Sequence, residues 1–439
     1  MNKYERYKKV DLPWLEEVPE HWEVKRNKSI FKEKKEVVGE RFIDYKLLSL
    51  TLRGVIERNL DGGGKFPASF EKYVVVKSND FVFCLFDMDE TPRTIGLSLR
   101  EGMITGAYTI FEAYTNYSSQ FLNYFYLYID SIKGLKPYYS GLRKTVNMDK
   151  FNSIKIPIPP LDEQEKIAAF LDWKINEIDR LIALEKEKTV QLEIYKQKFI
   201  DSVINNVVDP SIPLREIFSF GKGLSITKEN LGANGTRCIS YGEIHGGFRF
   251  SFISNDKRLK GLEKSDNISI SNSAVLEQGD FVFADTSEDL IGCGNFSFLE
   301  EKNTDVYAGY HTIVGKRNQN FNSKYLAYYF ESEIWREQIR KQVKGVKVYS
   351  ITQSILKATK VQIPNLKKQL EVVTTLDLFK ENCENLLGTI QLKISNLEAL
   401  KKSLISEVVT GKIDVRNVVI PSYEKVGIDV LTDEEEIKE

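Results

Sequence analysis

The sequence is poor in the residues on which most enzymes and metal proteins depend. It has three histidines, His21, His245 and His311, set far apart, and four cysteines, Cys84, Cys238, Cys293 and Cys383, with no CxxC pair. A structural zinc wants about four N or S ligands at characteristic spacing, so no metal site is expected. The thiols are expected to be buried and reduced, as in a cytoplasmic protein. No stretch approaches the about 18–20 apolar residues that span a bilayer, and the charged start, Met1 to Lys9, has no apolar run behind it. An excess of one charge is missing too. Lys and Arg number 62 against 63 Asp and Glu, a formal net charge of −1, which argues against a simple polybasic binder.

The patterns that carry catalysis are absent as well. Gly62-Gly-Gly-Lys65 and Gly221-Lys-Gly223 lack the spacing and the Ser/Thr of a phosphate loop and read as turns. There is no dinucleotide-binding glycine pattern. The Asn/Asp-Pro-Pro-aromatic signature of adenine methyltransferases is missing, because Pro159-Pro160 follows isoleucine. Glu185-Lys-Glu-Lys188 could be forced into a nuclease carboxylate–lysine pattern, but alternating charge is ordinary on a solvated helix. Three scattered histidines make no Ser-His-Asp triad. No catalytic residues are expected.

What the 439 residues do contain is a long-range repeat, spaced by about 200 residues. Such a period means duplicated domains rather than a solenoid. Asp80-Phe-Val-Phe83 recurs as Asp280-Phe-Val-Phe283, Thr94-Ile-Gly96 is echoed by Leu290-Ile-Gly292, and Tyr108-Thr-Ile110 by His311-Thr-Ile313. Tyr117-Ser-Ser-Gln-Phe-Leu122 matches Phe321-Asn-Ser-Lys-Tyr-Leu326. Ile158-Pro-Pro-Leu161 with Gln164 and Asp172 returns as Ile363-Pro-Asn-Leu366 with Gln369 and Asp377. Each copy begins with short β-like runs broken by turn signals at 61–64, 234–235 and 246–247, and embeds one amphipathic helix, Ser119 to Ile132 or Ser323 to Lys341. The expected unit is a compact α/β (α+β) domain with a mixed or mainly antiparallel sheet.

A long helix follows in each copy, after a closing proline, with Asp162 a candidate N-cap of the first. From there to about Asn205, and from Lys367 to about Gly411, no proline occurs. An a/d seam runs through Leu171, Ile175, Ile178, Ile182, Leu192 and Phe199 in the first helix. In the second it runs through Leu387, Ile390, Ile394, Leu397 and Leu404. About 45 residues at 1.5 Å each make a rod roughly 65 Å long. Two such helices flanking a large domain are expected to pair as an antiparallel coiled coil, with the domains at opposite ends of a rod about a pseudo-two-fold axis. Two separate bundle helices are the alternative. The expected division is a lead-in 1–20, domain 21–160, helix 161–205, domain 206–364, helix 365–416 and acidic tail 417–439.

Charge is distributed unevenly over this plan. Residues 21–160 carry net +5 and 211–364 net +3, whereas the first helix is −3, the second neutral, and the last ten residues −4. Basic residues near glycine turns could clamp phosphates and read base edges: Arg53, Lys65, Arg93, Arg143 and Lys144 in the first copy, with Lys222, Arg237, Arg249, Lys344 and Lys347 in the second. The rows Phe121, Tyr124, Phe125 and Tyr128 at helical spacing read as core. A DNA reader, a scaffold with two protein-binding domains, and an enzyme with an unrecognised site all remain open on composition alone.

Three motifs bear on that choice: Val18-Pro-Glu-His-Trp22, Ile156-Pro-Ile-Pro-Pro-Leu-Asp-Glu-Gln164 and Leu404-Ile-Ser-Glu-Val-Val-Thr-Gly-Lys-Ile-Asp-Val-Arg416. Together they resemble the specificity subunit of type I restriction–modification enzymes, along the whole chain. Pro364-Asn-Leu-Lys-Lys-Gln369 departs, lacking the second proline and the acid. The resemblance implies two target-recognition domains, each reading half of a bipartite double-stranded DNA site. It implies that the paired helices set the gap and dock two methyltransferase (modification) subunits, joined by motor–nuclease (restriction) subunits. S-adenosylmethionine, ATP and Mg would then sit on those partners, none on this chain. It also places Gly141-Leu-Arg-Lys144 and Gly345-Val-Lys347 near the DNA backbone.

Overall fold

The structure, a computed structural model, describes residues 2–58, 69–263, 268–345 and 347–425. Lys65 with its glycine cluster, Val346 and most of the acidic tail lie outside the described residues. The chain divides into two compact units, one of residues 1–186 with 391–439 and one of residues 187–390. Both long helices therefore contribute to both units. Among the described residues no helix is long and apolar enough to cross a membrane.

In the first unit the core sheet has four antiparallel strands in the order Phe31–Lys34, Thr109–Ala113, Phe81–Phe83, Ile95–Leu97. In the second, Phe218–Lys222, Thr312–Arg317, Phe281–Ala284 and Phe296–Glu301 repeat that order, and Phe250–Ile253 adds a fifth, parallel strand. Phe81 and Phe83, like Phe281 and Phe283, are buried and meet further rings at 5–6 Å. The aspartate that opens each Asp-Phe-Val-Phe run is also buried. Asp80 accepts from Lys34 Nζ (2.8 and 2.6 Å) and the Lys77 N–H; Asp280 accepts from Lys316 Nζ (2.7 Å) and the Glu277 N–H. A buried carboxylate needs such partners. The two copies draw their lysine from different strands, Lys34 from the edge strand of its sheet and Lys316 from the strand paired with Phe281–Ala284.

The hydrogen-bond ladders correct two of the sequence matches. Phe83 faces Ile95 and Phe283 faces Phe296, so Ile95 corresponds to Phe296 and not to Ile291. Phe83 also faces Thr109 while Phe283 faces Ile313, so the Tyr108 and His311 triplets are one residue out of register. The domain helix runs unbroken over Ser119–Ser131 in the first copy. In the second it breaks into Ser323–Glu331 and Glu333–Arg340, because Ser332 is extended (φ −74°, ψ 148°) and Trp335 turns back onto Phe330, ring centroids 4.3 Å apart. The rows Phe121, Tyr124 and Phe125 are buried core.

The long helices run Leu161–Asn205 and Leu366–Val409. Asp162 lies inside the first turn rather than capping it; Asn365 caps the second helix, accepting from the Lys368 N–H at 3.0 Å. The helices pack together along the expected seam. Leu171, Ile178 and Ile182 are buried on the first helix, with Ile175, Leu192 and Phe199 half-buried. Ile390, Ile394 and Leu404 are buried on the second, with Leu387 and Leu397 half-buried. In the first unit Asp179 accepts from Lys401 (2.7 Å) and Glu185 pairs with Lys393, so the direction is antiparallel. In the second unit Phe199 stacks on Phe379 at 3.9 Å.

Candidate nucleic-acid interface

Each domain is locked to its long helix by the same two side chains. Gln164 accepts from the Ser118 N–H (2.9 Å) and donates to the Pro159 carbonyl (2.8 Å); Gln369 repeats both bonds with Asn322 (2.7 Å) and Pro364 (2.6 Å). About two turns further on, Asp172 and Asp377 each accept from a domain tyrosine, Tyr124 or Tyr328, at 2.6 Å. Ser118 and Asn322 are themselves the N-caps of the domain helices. The spacing of proline, glutamine and aspartate shared by the two copies is thus a mounting device. Its signal was in the repeat, but its job could not be read there.

The motifs at the chain ends converge on the same mount in the first unit. Glu163 is buried and accepts three bonds, from Tyr4 Oη (2.6 Å), His21 Nε2 (2.6 Å) and Trp22 Nε1 (2.9 Å). Burial, reinforced by this carboxylate, drives the Tyr4 hydroxyl pKa far above its ordinary value. Arg416 lies over the Tyr4 ring at 4.9 Å and pairs with Asp414, whose N–H donates to the Asn2 carbonyl. Gly411, at φ +74°, lies against Pro19, where a Cβ would stand 2.4 Å from the ring. The residue at the position of Glu163 in the second unit is Lys368, which is exposed.

Four of the first-copy candidates gather at one end of their domain, around the turn that follows the central strand. Arg143 forms a bidentate pair with Asp87 (Nε–Oδ1 3.1 Å) and lies 5.1 Å over the Phe86 ring, which stacks on Tyr108 at 6.3 Å. The hydrogen bond from Arg143 holds the Asp87 carboxyl below its usual range. The Asp87 carbonyl accepts from Thr91, whose own carbonyl accepts from Lys133; Lys133 and Arg93 both approach Asp130. Arg93 also donates to the Leu52 carbonyl, beside exposed Arg53. Lys144 is exposed next to Arg143.

The second-copy candidates divide. Lys222 ends its strand beside Gly221, whose carbonyl accepts from Gln353. Lys344 and Lys347 are exposed on the segment leading to Tyr349–Ser350, which pairs with Thr286–Ser287. The same end carries His311, at φ +55°, donating through Nδ1 to Asp285 (3.1 Å) with Tyr241 and Tyr310 edge-on to its ring. Arg237 and Arg249 are spent internally. Arg237 donates to the Ala233 and Leu259 carbonyls on the wall of a separate cavity of about 910 Å³. Arg249 pairs with Glu331 (2.8 Å), which also holds buried Arg336 (3.1 Å). Burial alone would raise Glu331; the two guanidinium groups outweigh it and hold the carboxyl low. Sequence reasoning missed Phe86, Asp87 and Tyr108, and missed Asp285 with His311, since turn geometry rather than spacing assembles them.

Two copies of one sheet-and-helix domain, each carrying an aromatic and charged loop cluster of different content on the same mount, define a duplicated recognition protein. Among the described residues no group of three or more His, Cys, Asp or Glu is placed to hold a metal. The family model for the type I restriction modification DNA specificity domain matches residues 102–194 and 211–396, more than half of the chain, and the chain belongs to this family. The type I restriction enzyme MjaVIII specificity subunit of Methanocaldococcus jannaschii is 25% identical over 426 residues, covering 91% of this chain and 95% of that one. A solved chain from work on complex assembly and conformational transition of the type I R-M system has a TM-score of 0.65 at 15% identity, covering 90% of this chain and 99% of its own. The HsdS subunit from Thermoanaerobacter tengcongensis gives a TM-score of 0.49 at 16% identity, over 90% and 98%. The chain is a DNA specificity subunit, the non-catalytic component of a type I restriction–modification system.

Proposed function

We propose that each domain reads one half of a bipartite, asymmetric double-stranded DNA site, and that the helix pair sets the gap and docks two methyltransferase subunits. The observation that carries this is the contrast between mount and cluster. The glutamine and aspartate anchors are the same in both copies, while the segments beyond the central strands hold Phe86-Asp87 in one and Thr286-Ser287 in the other. A shared mount carrying different loops is what two different half-sites require. Lys144, Lys222, Lys344 and Lys347 would meet phosphates, and Arg53, Arg93 and Arg143 would position or read bases. Lys65 belongs with them on charge alone. S-adenosylmethionine would be held by the methyltransferase partners, and ATP with Mg by motor–nuclease subunits. A cytoplasmic location follows from that role.

Exchange of residues 211–364 for the corresponding domain of a relative, followed by genome-wide mapping of methylated adenines, tests the reading. One half of the methylated site is expected to change and the other to persist. Change in both halves, or methylation without a bipartite motif, would overturn it.

A further inference from the structure

In the first domain the chain between Ser140 and Thr145 forms a tight hairpin that projects a single apolar side chain into water. Leu142 at its apex is 99% exposed, the highest value of any large hydrophobic residue described. The hairpin is not loose. Ser140 and Thr145 exchange both backbone hydrogen bonds (2.9 and 3.0 Å), the Lys144 N–H closes the turn onto the Gly141 carbonyl, and Gly141 and Lys144 sit at φ +69° and +45°. Its base is clamped to the end of the central strand. The Val146 N–H donates to the Leu85 carbonyl (2.9 Å), the Asp87 N–H to the Arg143 carbonyl (2.7 Å), and the Arg143 guanidinium is held by Asp87 over the Phe86 ring.

These contacts face the domain; Leu142 receives none. Burying a leucine side chain is favourable, and the turn that carries this one includes a lysine, Lys144, in the left-handed region at φ +45°. The flanking groups say what buries it. Arg143 and Lys144 follow the apex directly in the turn, and the Lys144 ammonium makes no ion pair among the described residues. An apolar tip with two cations beside it on the same turn suits a polyanion with an apolar interior, a duplex whose bases stack behind its phosphates.

We propose that Leu142 is a wedge that enters a base step of the half-site read by the first domain, partly unstacking it, while Lys144 meets the adjacent phosphate. The proposal rests on the DNA-reading function above and adds the residue and the mode of contact. A wedge favours steps that unstack easily, so Leu142 would also determine specificity at a position where no hydrogen bond is made.

The test uses the full chain assembled with its methyltransferase subunits and its mapped site, carrying 2-aminopurine at each position of the first half-site in turn, the methylated adenine excepted. Wild type and Leu142→Phe should raise the fluorescence several-fold at one step. Leu142→Ala and Leu142→Lys should abolish that rise, with affinity falling about tenfold for alanine and assembly with the methyltransferase subunits unchanged. Lys144→Ala should leave the fluorescence and lower the slope of log affinity against log salt by about 1. The proposal is overturned by fluorescence that no step raises, by alanine retaining both signal and affinity, or by alanine weakening assembly without DNA. Failure of the wild-type complex to protect any site would instead strike the DNA-reading function itself.

Discussion

At the scale of single residues, the side chains that matter most for the architecture are polar and buried. Gln164 and Gln369 are each 1% exposed and each satisfies a backbone N–H and a backbone carbonyl. Removing one amide leaves a buried carbonyl and a partly buried N–H unpaired. Gln164→Ala and Gln369→Ala are each expected to lower stability by about 2 kcal/mol, seen as a shifted denaturant midpoint at unchanged slope. Equal losses at the two sites would confirm that the mounts are equivalent. Cys238 makes a second residue-scale case. Burial pushes its thiol up to about 12, whereas an unfolded cysteine ionises near about 8.5. The folded state therefore holds the proton longer, and this contribution to stability is complete below about 8.5 and is lost as pH rises toward 12. At pH 8 a thiol reagent should label Cys238 only as fast as the second unit opens. Labelling at the rate of a free thiol would contradict the burial.

At the scale of elements, the helices were legible and the strands were not fully so. A long proline-free run with a 3.5-residue apolar seam has one reading, and Leu161–Asn205 and Leu366–Val409 are there. The sheet partners were placed correctly where a whole motif repeated, as with Asp-Phe-Val-Phe. They slipped where only three residues matched, at Ile95 and at Thr109, because loops of different length separate the strands and the ladder alone sets register. The break at Ser332 was hidden because its cause, the fold-back of Trp335 onto Phe330, is tertiary. The turn clusters were hidden for the same reason. Asp87 and Arg143 lie 56 residues apart and meet only once the hairpin docks. The end motifs were legible as family marks but not as a clasp. Glu163→Leu should leave the Trp22 indole N–H and the Tyr4 hydroxyl buried without their partner, costing about 3 kcal/mol, and should hasten proteolysis within residues 2–22. Lys368→Leu, at the matching, exposed place on the second helix, should stay within about 0.5 kcal/mol of wild type. A clasp that was only packing would make the two substitutions alike.

At the scale of the whole molecule, the feature to explain is a near-neutral chain that recognises a polyanion. The formal net charge is −1, yet the domains are positive and the first helix and tail negative. The structure sharpens this, because many of the domain cations are already paired. Arg143, Arg249 and Arg93 face Asp87, Glu331 and Asp130, leaving Lys144, Lys222, Lys344 and Lys347 without ion pairs among the described residues. Four phosphate contacts would make affinity fall about 100-fold between 50 and 200 mM salt. They would supply little binding once physiological salt is reached. The isolated chain should therefore bind DNA weakly and with little preference for sequence, and the assembled methyltransferase complex tightly and specifically, since partner subunits add the rest of the electrostatic grip. Titrating the mapped site and a scrambled duplex at several salt concentrations, with and without the partners, measures both terms. Specific binding by the isolated chain as tight as that of the complex would mean that the paired arginines open to the DNA, and that recognition resides wholly in this chain.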